Sequence, residues 1–451
     1  MSESRLAGAR MPETLEFVHA LYRDFFVRGV RYFFPDARLH ENGAAAEVAA
    51  SLNFFSLTDG TLHLDWLGTQ YHLVSQDNVF SEDELRLLGA IGGVLSARYR
   101  GIFSPGSSPY ASHLFEGLAE DRYVSAFLDH YPYFDGDGLP TERDVVADAI
   151  SVLRHSSLIT YENRRISTGV ILVGAADDPF HLIPELPAGA QPYTSALVSI
   201  KSFHRLCDGL NTVFLVDRKG MLLDLVDIEQ FAQACCGAVL PAPSAARYRA
   251  HSLATLNGGH LCLVLTPNGE IKVFGGGVQI FHFLEGRWRL TDLPEKYHEF
   301  RRSVGDGRLA ERLFTVALNL AENRRGGLFV VLDDRKAAEH LVAPGDLLED
   351  TLAEGSSKSQ IHYLLCRKRA MELEPSVLQS IARVDGGIVM DRDGCLLAFG
   401  AILRSGGEPM VAQDGGRTTA AVHASRHGLA LKISEDGIVS FYRAGNRVWE
   451  I

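Results

Sequence analysis

The sequence predicts an α/β fold in which mixed, twisted sheets are flanked by helices, one domain occurs twice, and a different α/β region precedes both copies. The first observation is a repeat. The run from Asn211 to Leu223 lies on the run from Asp385 to Leu397 without a gap, and upstream of each stands the same Glu-Asn-Arg-Arg tetrapeptide, Glu162 to Arg165 and Glu322 to Arg325. A period of about 160 residues is far longer than the roughly 20–50 of solenoid units, so this is a duplicated domain. The second observation is that buried-strand runs, Val170 to Val173 and Leu328 to Leu332, alternate with segments of helical spacing. The third is the hairpin signal: Asp393-Gly394 and Asp436-Gly437, with Asn268-Gly269 as the counterpart in the first copy. Strands and helices in this order build a mixed sheet with helices against it.

Residues 1–140 resemble neither copy. The aromatic cluster from Tyr22 to Phe34 reads as packing, and the alternation from Thr61 to Leu67 as a strand. Ser81 and Glu84 form a capping box ahead of a helix whose apolar stripe is Leu85, Leu88, Ile91 and Leu95. The Gly- and Ser-rich stretch from Gly101 to Ser112 reads as a loop, and Asp135 to Pro140 as a turn cluster at a domain boundary. An EF-hand reading of that cluster fails, because Leu139 stands where a third ligand is needed. Thr141 to Asp144 then cap a helix running to about Ser156. Its match before the second copy runs from Arg308 to Glu322, with Leu309, Leu313, Val316, Ala317 and Leu320 on one face. The charged stretch from Pro294 to Gly307 reads as a short link. The expected domains are residues 1–140, 141–300 and 301–451. The shared tetrapeptide fits a helix end, with arginines favourable to the dipole and Gly326 at C′, so it is given a structural role.

Bulk properties narrow the function. A net charge of −12 argues against a general nucleic-acid or membrane-surface binder, which needs clustered Lys and Arg. Cys207, Cys235, Cys236, Cys262, Cys366 and Cys395 show no metal-ligand spacing and read as buried, reduced thiols. Neither a signal peptide nor an apolar run of about 18 residues is visible, so a cytoplasmic protein without membrane insertion is expected.

The chemistry lies in the second copy. Asp385, Gly386 and Gly387 stand where a loop enters a strand: the glycines let backbone approach a ligand and the carboxylate can reach a cation. Gly415, Gly416, Arg417, Thr418 and Thr419 open a helix expected to continue through Val422, Ala424 and Leu429; such a start suits phosphate. Ser434, Glu435 and Asp436 follow at a strand end. Each alone is an ordinary turn or cap. Together they suit a metal-bound nucleoside triphosphate. The first copy has Asn211 opposite Asp385, with Thr212 and Val213 opposite the glycines, and an Arg247-Tyr248-Arg249 set against Arg417 to Thr419. Lacking the carboxylate, it reads as a degenerate copy kept for sensing or scaffolding.

In this order the motifs resemble those of the diadenylate cyclases: an Asp-Gly-Ala motif, a Gly-Thr-Arg-His-Arg motif at a helix start, and a Ser-Glu-Glu-Thr-Gly segment. Residues 308–451 are similar to that domain, with Asp385-Gly386-Gly387, Gly416 to Ala421, and Ser434 to Gly437 at the three motifs and Gly400 to Leu403 at the family's Gly-Ala-x-Leu run. The resemblance implies condensation of two ATP to cyclic di-AMP and two pyrophosphates, with Mg²⁺ or Mn²⁺ as cofactor and self-association of catalytic domains. It implies that Asp385 and Glu435 hold the metal and that Asp385, Arg417 and Glu435 are catalytic. It also implies that Gly386, Gly387, Gly416, Arg417, Thr418, Thr419 and Ser434 bind nucleotide and that Leu403 packs on adenine. The chain departs from the family at Thr418 and Thr419, which replace His-Arg; His423 and His427 follow on the next stretch and are read as carrying no ligand role. The departure supports an alternative, a catalytically inactive sensor binding nucleotide or cyclic dinucleotide, and a further one, a cyclase of relaxed base choice.

Overall fold

The computed structural model describes residues 10–44, 52–58, 60–75, 80–103, 110, 112–129, 142–174, 183–233, 237–348, 362–404 and 415–451. The chain forms two compact units: Met1–Ala238 with Ala250–Asp292, and Val239–Arg249 with Leu293–Ile451.

In the first unit, α1 (Arg10–Phe33) buries Tyr22, Phe26 and Val30, spaced to share one face, and Phe34 is buried just beyond it. A four-stranded antiparallel sheet follows, made of β1 (Arg38–Ala44), β2 (Asn53–Thr58), β3 (Thr61–Trp66) and β4 (Thr69–Val74) in the order β1-β4-β3-β2. The expected capping box opens α2 (Glu82–Phe103): the Ser81 N–H donates to Glu84 Oε2 (3.0 Å) and the Glu84 N–H to Ser81 Oγ (3.1 Å). Leu88, Ile91 and Leu95 are fully buried. The helix runs past Gly101, where the sequence suggested a loop, because Gly101 packs close to Leu114 and Phe115. After α3 (Ala119–Leu128) comes α4 (Val145–Ser157), capped by Asp144, whose Oδ1 accepts from the Ala147 N–H. The turn cluster from Asp135 to Pro140, and Thr141, lie outside the described residues.

The first copy then continues through β5 (Thr160–Tyr161), β6 (Arg164–Arg165), β7 (Thr168–Leu172), α5 (Phe203–Leu206), β8 (Thr212–Val216), β9 (Leu222–Asp227), α6 (Ile228–Ala232), α7 (Arg249–Ala254), β10 (Leu261–Leu265), β11 (Ile271–Gly275), β12 (Val278–Leu284) and β13 (Arg287–Leu290). Its seven-stranded sheet has the order β13-β12-β11-β10-β7-β8-β9, with β7 and β8 parallel and the other neighbours antiparallel. The front region and this sheet share one apolar core. Two polar contacts tie them: Trp288 Nε1–H donates to Asp121 Oδ1 (2.7 Å), and the Trp288 N–H donates to the Tyr32 hydroxyl (2.8 Å).

The second unit begins with α8 (Leu293–Val304), so the expected link between the copies is a helix, anchored by buried Leu293, Phe300 and Val304. It continues with α9 (Gly307–Glu322), β14 (Gly327–Leu332), α10 (Ala338–Leu341), α11 (Pro375–Ala382), β15 (Gly387–Asp391), β16 (Leu396–Ala401), α12 (Gly416–Ala424), β17 (Gly428–Ile433), β18 (Val439–Arg443) and β19 (Asn446–Glu450). The sheet order is β16-β15-β14-β17-β18-β19, with β14 and β15 parallel. Read from its β9 edge, the first copy has this order strand for strand, plus β13 at the far edge. Topology therefore repeats as the sequence does. The same unit takes in Val239–Arg249, where the Ala246 N–H donates to Asn319 Oδ1 on α9 (2.7 Å).

Three details differ from expectation. Leu429 lies on β17, not in the helix, because Ser425–His427 tightens into a 3-10 turn and Gly428 starts the strand. The shared tetrapeptide folds in two ways. In the first copy Glu162 and Asn163 (φ 51° and 62°) form the turn between β5 and β6; in the second Asn323 caps α9 and Arg324, not Gly326, takes the left-handed conformation (φ 52°). Its function is still structural: Arg165 Nη1 donates to the Asn268 carbonyl (2.9 Å), and Arg324 lies against Gly437 in the matching turn. Finally, Cys207 and Cys262 are buried, and burial pushes both thiols up, but Cys366 and Cys395 are only partly buried because they lie beside surface turns. Cys235 and Cys236 lie outside the described residues.

Candidate functional site

Asp385 stands between the end of α11 and the start of β15, with its side chain 94% exposed. Gly386 (φ +105°) accounts for itself structurally: a Cβ there would meet the carbonyl carbon of Gly400 at 2.6 Å and the Ala401 nitrogen at 2.7 Å. Gly387 is different, since a Cβ would meet the Leu328 side chain at 3.5 Å and its carbonyl oxygen at 3.6 Å, both ordinary contacts, and alanine would fit.

Helix α12 lies close to the sheet because Ala421, Ala424 and Ala430 of β17 are all small and buried. Gly415 and Gly416 lead into it. Neither has a positive φ, and a Cβ on either would meet nothing within 4 Å. The fold does not require glycine at these positions. They place no side chain of their own over the first N–H groups of the helix, of which that of Thr418 donates to the Gly415 carbonyl at 2.8 Å.

Arg417 points from α12 across the end of the sheet. Its Nη1 donates to Glu435 Oε1 at 3.1 Å, and its Nη2 lies 4.0 Å from Asp385 Oδ1. Residues from the loop before β15, the start of α12 and the turn after β17 thus meet at one guanidinium. Exposed pairs of this kind stabilise a fold by about 0–1 kcal/mol, so stability is a poor account of the convergence. Room for the guanidinium comes from Gly326, where a Cβ would lie 2.2 Å from Arg417 Nη1. Sequence reading gave Gly326 a helix-end role; its contact with Arg417 was not visible until the chain was folded.

Thr418 Oγ1 accepts from Lys432 Nζ at 3.0 Å. Lys432 was also missed, although one cation in the apolar strand Gly428–Ile433 was the available signal. Thr419 is half-buried in the same turn of helix. The Ser434 hydroxyl accepts from the Ile438 N–H (3.2 Å) and so holds the turn. Leu403, just past β16, packs on the cluster that includes Leu328, Leu341 and Ala421. Rings of His423 and His427 lie 5.9 Å apart. Among the described residues no group of three His, Cys, Asp or Glu side chains is placed to hold a metal ion, and no helix is long and apolar enough to cross a membrane.

The first copy lacks this arrangement. Asn211 is tied to its own loop, with its N–H on Asp208 Oδ1 (2.7 Å) and its amide nitrogen on Asp208 Oδ2 (2.6 Å). Burial alone would raise the Asp208 carboxyl, but N–H donors from Thr212, Asn211 and Leu210 outweigh it and hold the group below its usual range. Across the β10–β11 turn, Thr266 stands where Ser434 stands and Pro267 where Glu435 does, so the second carboxylate is missing too.

No protein-family model matches the chain, and no curated protein does either. Among solved structures, it is similar to a hypothetical membrane spanning protein from Bacillus cereus, at 22% identity and a TM-score of 0.23 over 31% of this chain and 61% of that one. It is also similar to a double-cysteine variant of DacA from Staphylococcus aureus, at 18% identity and a TM-score of 0.20 over 31% of this chain and 84% of that one. The chain thus spans 61% of the first of these proteins. Likenesses of this size carry nothing about chemistry, and the functional reading rests on the chain's own residues.

Proposed function

We propose that the C-terminal copy is a diadenylate cyclase-like nucleotidyltransferase that condenses two ATP to cyclic di-AMP in the cytoplasm. The observation that supports it is the meeting of Asp385 and Glu435 at Arg417, beside the Gly415-Gly416 start of α12.

In this reading Arg417, the first N–H groups of α12, Thr418 and Thr419 take the triphosphate, while Leu403 packs against the base. The phosphates replace the two carboxylates as partners of Arg417, which leaves Asp385 and Glu435 available to a divalent ion. The donor set fits Mg²⁺ or Mn²⁺, which is usually held by one or two carboxylates together with phosphate and water oxygens. That ion, when bound, neutralises charge building on the α-phosphate and the leaving pyrophosphate. Each 3′-hydroxyl oxygen bonds to the α-phosphorus of the other ATP as the bond to its β-phosphate oxygen breaks. The hydroxyl proton passes to Asp385 or water, and two such steps close the ring and release two pyrophosphates. Because each pocket holds one ATP, two C-terminal copies from separate chains must face each other. The front region and the first copy, without Asp385 or Glu435 equivalents, then serve as sensor and scaffold.

Incubation with ATP and Mn²⁺ or Mg²⁺, followed by separation of the nucleotides, is the test. Cyclic di-AMP with pyrophosphate supports the cyclase. ATP bound but unreacted favours the non-catalytic sensor, for which the hydroxyls at Thr418 and Thr419 are the specific motive. Failure to bind ATP overturns the cyclase and the ATP sensor, a cyclic-dinucleotide sensor then being decided by binding of cyclic di-AMP, and GTP added in competition reports on base choice.

A further inference from the structure

Along β17, Leu429, Leu431 and Ile433 are buried on one face, while Ala430 and Lys432 belong to the other, the face that carries α12. A lysine inside a central strand is costly unless its charge is met. Lys432 is half-buried, its partner is the neutral hydroxyl of Thr418 at 3.0 Å, and no carboxylate lies within ion-pair distance of it among the described residues.

The first copy shows the alternative solution. There Val264 stands in the place of Lys432, and its ladder partner across the hairpin is Lys272, just as Ser440 is the partner of Lys432. Lys272 lies 3.9 Å from Glu270, which also meets His282 at 2.9 Å. One copy supplies an internal carboxylate for its buried ammonium. The other leaves the ammonium beside Thr418, one residue from Arg417.

We propose that Lys432 is a phosphate-contacting residue of the C-terminal pocket, taking non-bridging oxygens of the nucleoside triphosphate together with Thr418 and supplying a second cation beside Arg417. This rests on the nucleotide reading above and extends it, since it places the triphosphate tail over β17. It also assigns the pocket's discrimination between nucleoside and triphosphate to a residue outside the motifs that drew attention to the site.

The test uses the full chain and two ligands, ATP and adenosine, with affinities measured by equilibrium dialysis at low and high salt. Lys432→Met removes charge at similar length, Lys432→Gln is a second neutral variant should the first misfold, and Lys432→Arg keeps the charge. The neutral variants should bind ATP about 10- to 100-fold more weakly, the range for one charged hydrogen bond, with adenosine affinity unchanged and a shallower salt dependence. The arginine variant should recover most of the ATP affinity. Neutral variants that bind ATP as tightly as the wild type, or that lose adenosine in equal measure, overturn the assignment of Lys432 and leave the nucleotide reading standing. A wild-type chain that binds no ATP removes the nucleotide reading itself, and the assignment with it.

Discussion

The two copies have the same strand order in their separate sheets and part company at polar positions, which separates residues that keep the fold from residues that equip a site. Asp217 and Asp391 occupy the same place in the repeat and do the same work. Asp217 Oδ1 accepts from the Lys219 and Met221 N–H groups, and Asp391 Oδ1 from those of Asp393 and Cys395. Thr266 and Ser434 likewise hold equivalent hairpin turns through their hydroxyls. These positions stay alike because a hairpin of fixed register needs them. By contrast Asn211 and Asp385, Pro267 and Glu435, and Val264 and Lys432 differ, although their backbones correspond. In each of these pairs it is the second copy that carries the charged residue.

The sharpest way to break this contrast is Asp385→Asn, which gives the second copy the residue the first already has. Product formation should fall by about 100-fold or more, read as cyclic di-AMP per chain, with secondary structure unchanged by circular dichroism. Undiminished product would mean that the difference between the copies at this position is neutral. Next, Arg417→Ala should weaken ATP binding by roughly 1.5–3 kcal/mol, the range for a hydrogen bond to a charged group; titration calorimetry decides it.

Gly326→Ala makes a subtler point. Its Cβ displaces the end of a flexible side chain and not backbone, so unfolding should be unaffected while ATP affinity falls about 5-fold, the size of one weakened hydrogen bond. Loss of stability instead would make Gly326 a fold residue after all. The smallest effect tests a shared feature. Asp306 caps α9 as Asp144 caps α4, and N–H donation from Leu309 and Arg308 holds its carboxyl below the usual value. Asp306→Ala should lower protection of α9 amides by about 1 kcal/mol at neutral pH. Because the folded-state pKa is depressed, that contribution is present above the unfolded value of about 3.9 and is lost as pH falls through the folded one. Wild type and variant should therefore converge in acid, as hydrogen exchange would show.

Much of the fold was legible because it is written in local signals. The capping box at Ser81 and Glu84 and the Gly-marked hairpins depend on residues a few positions apart, and the duplication on short runs that match without a gap. Asp385, Arg417 and Glu435 could be picked out for the same reason, each sitting in a short motif. What stayed hidden was long-range. Nothing near Gly326 in sequence says that a guanidinium from residue 417 will rest on it, and Lys432 looked like a strand residue until Thr418 was found beside it. The tetrapeptide misled in a different way. Identical residues became a hairpin turn in one copy and a helix end in the other, because the flanking segments decide whether a neighbouring strand is available.

The excursion of Val239–Arg249 into the second compact unit matters for anyone dissecting the protein. A fragment begun at residue 301, the cut the repeats suggest, or at Leu293, where the compact unit resumes, leaves that stretch behind and removes the donor that satisfies Asn319 Oδ1. Genetic boundaries and contact boundaries do not coincide in this chain. A truncation that loses activity could be reporting a missing strap on α9, so a C-terminal fragment should be assayed with the 239–249 peptide restored before its behaviour is ascribed to loss of the sensor.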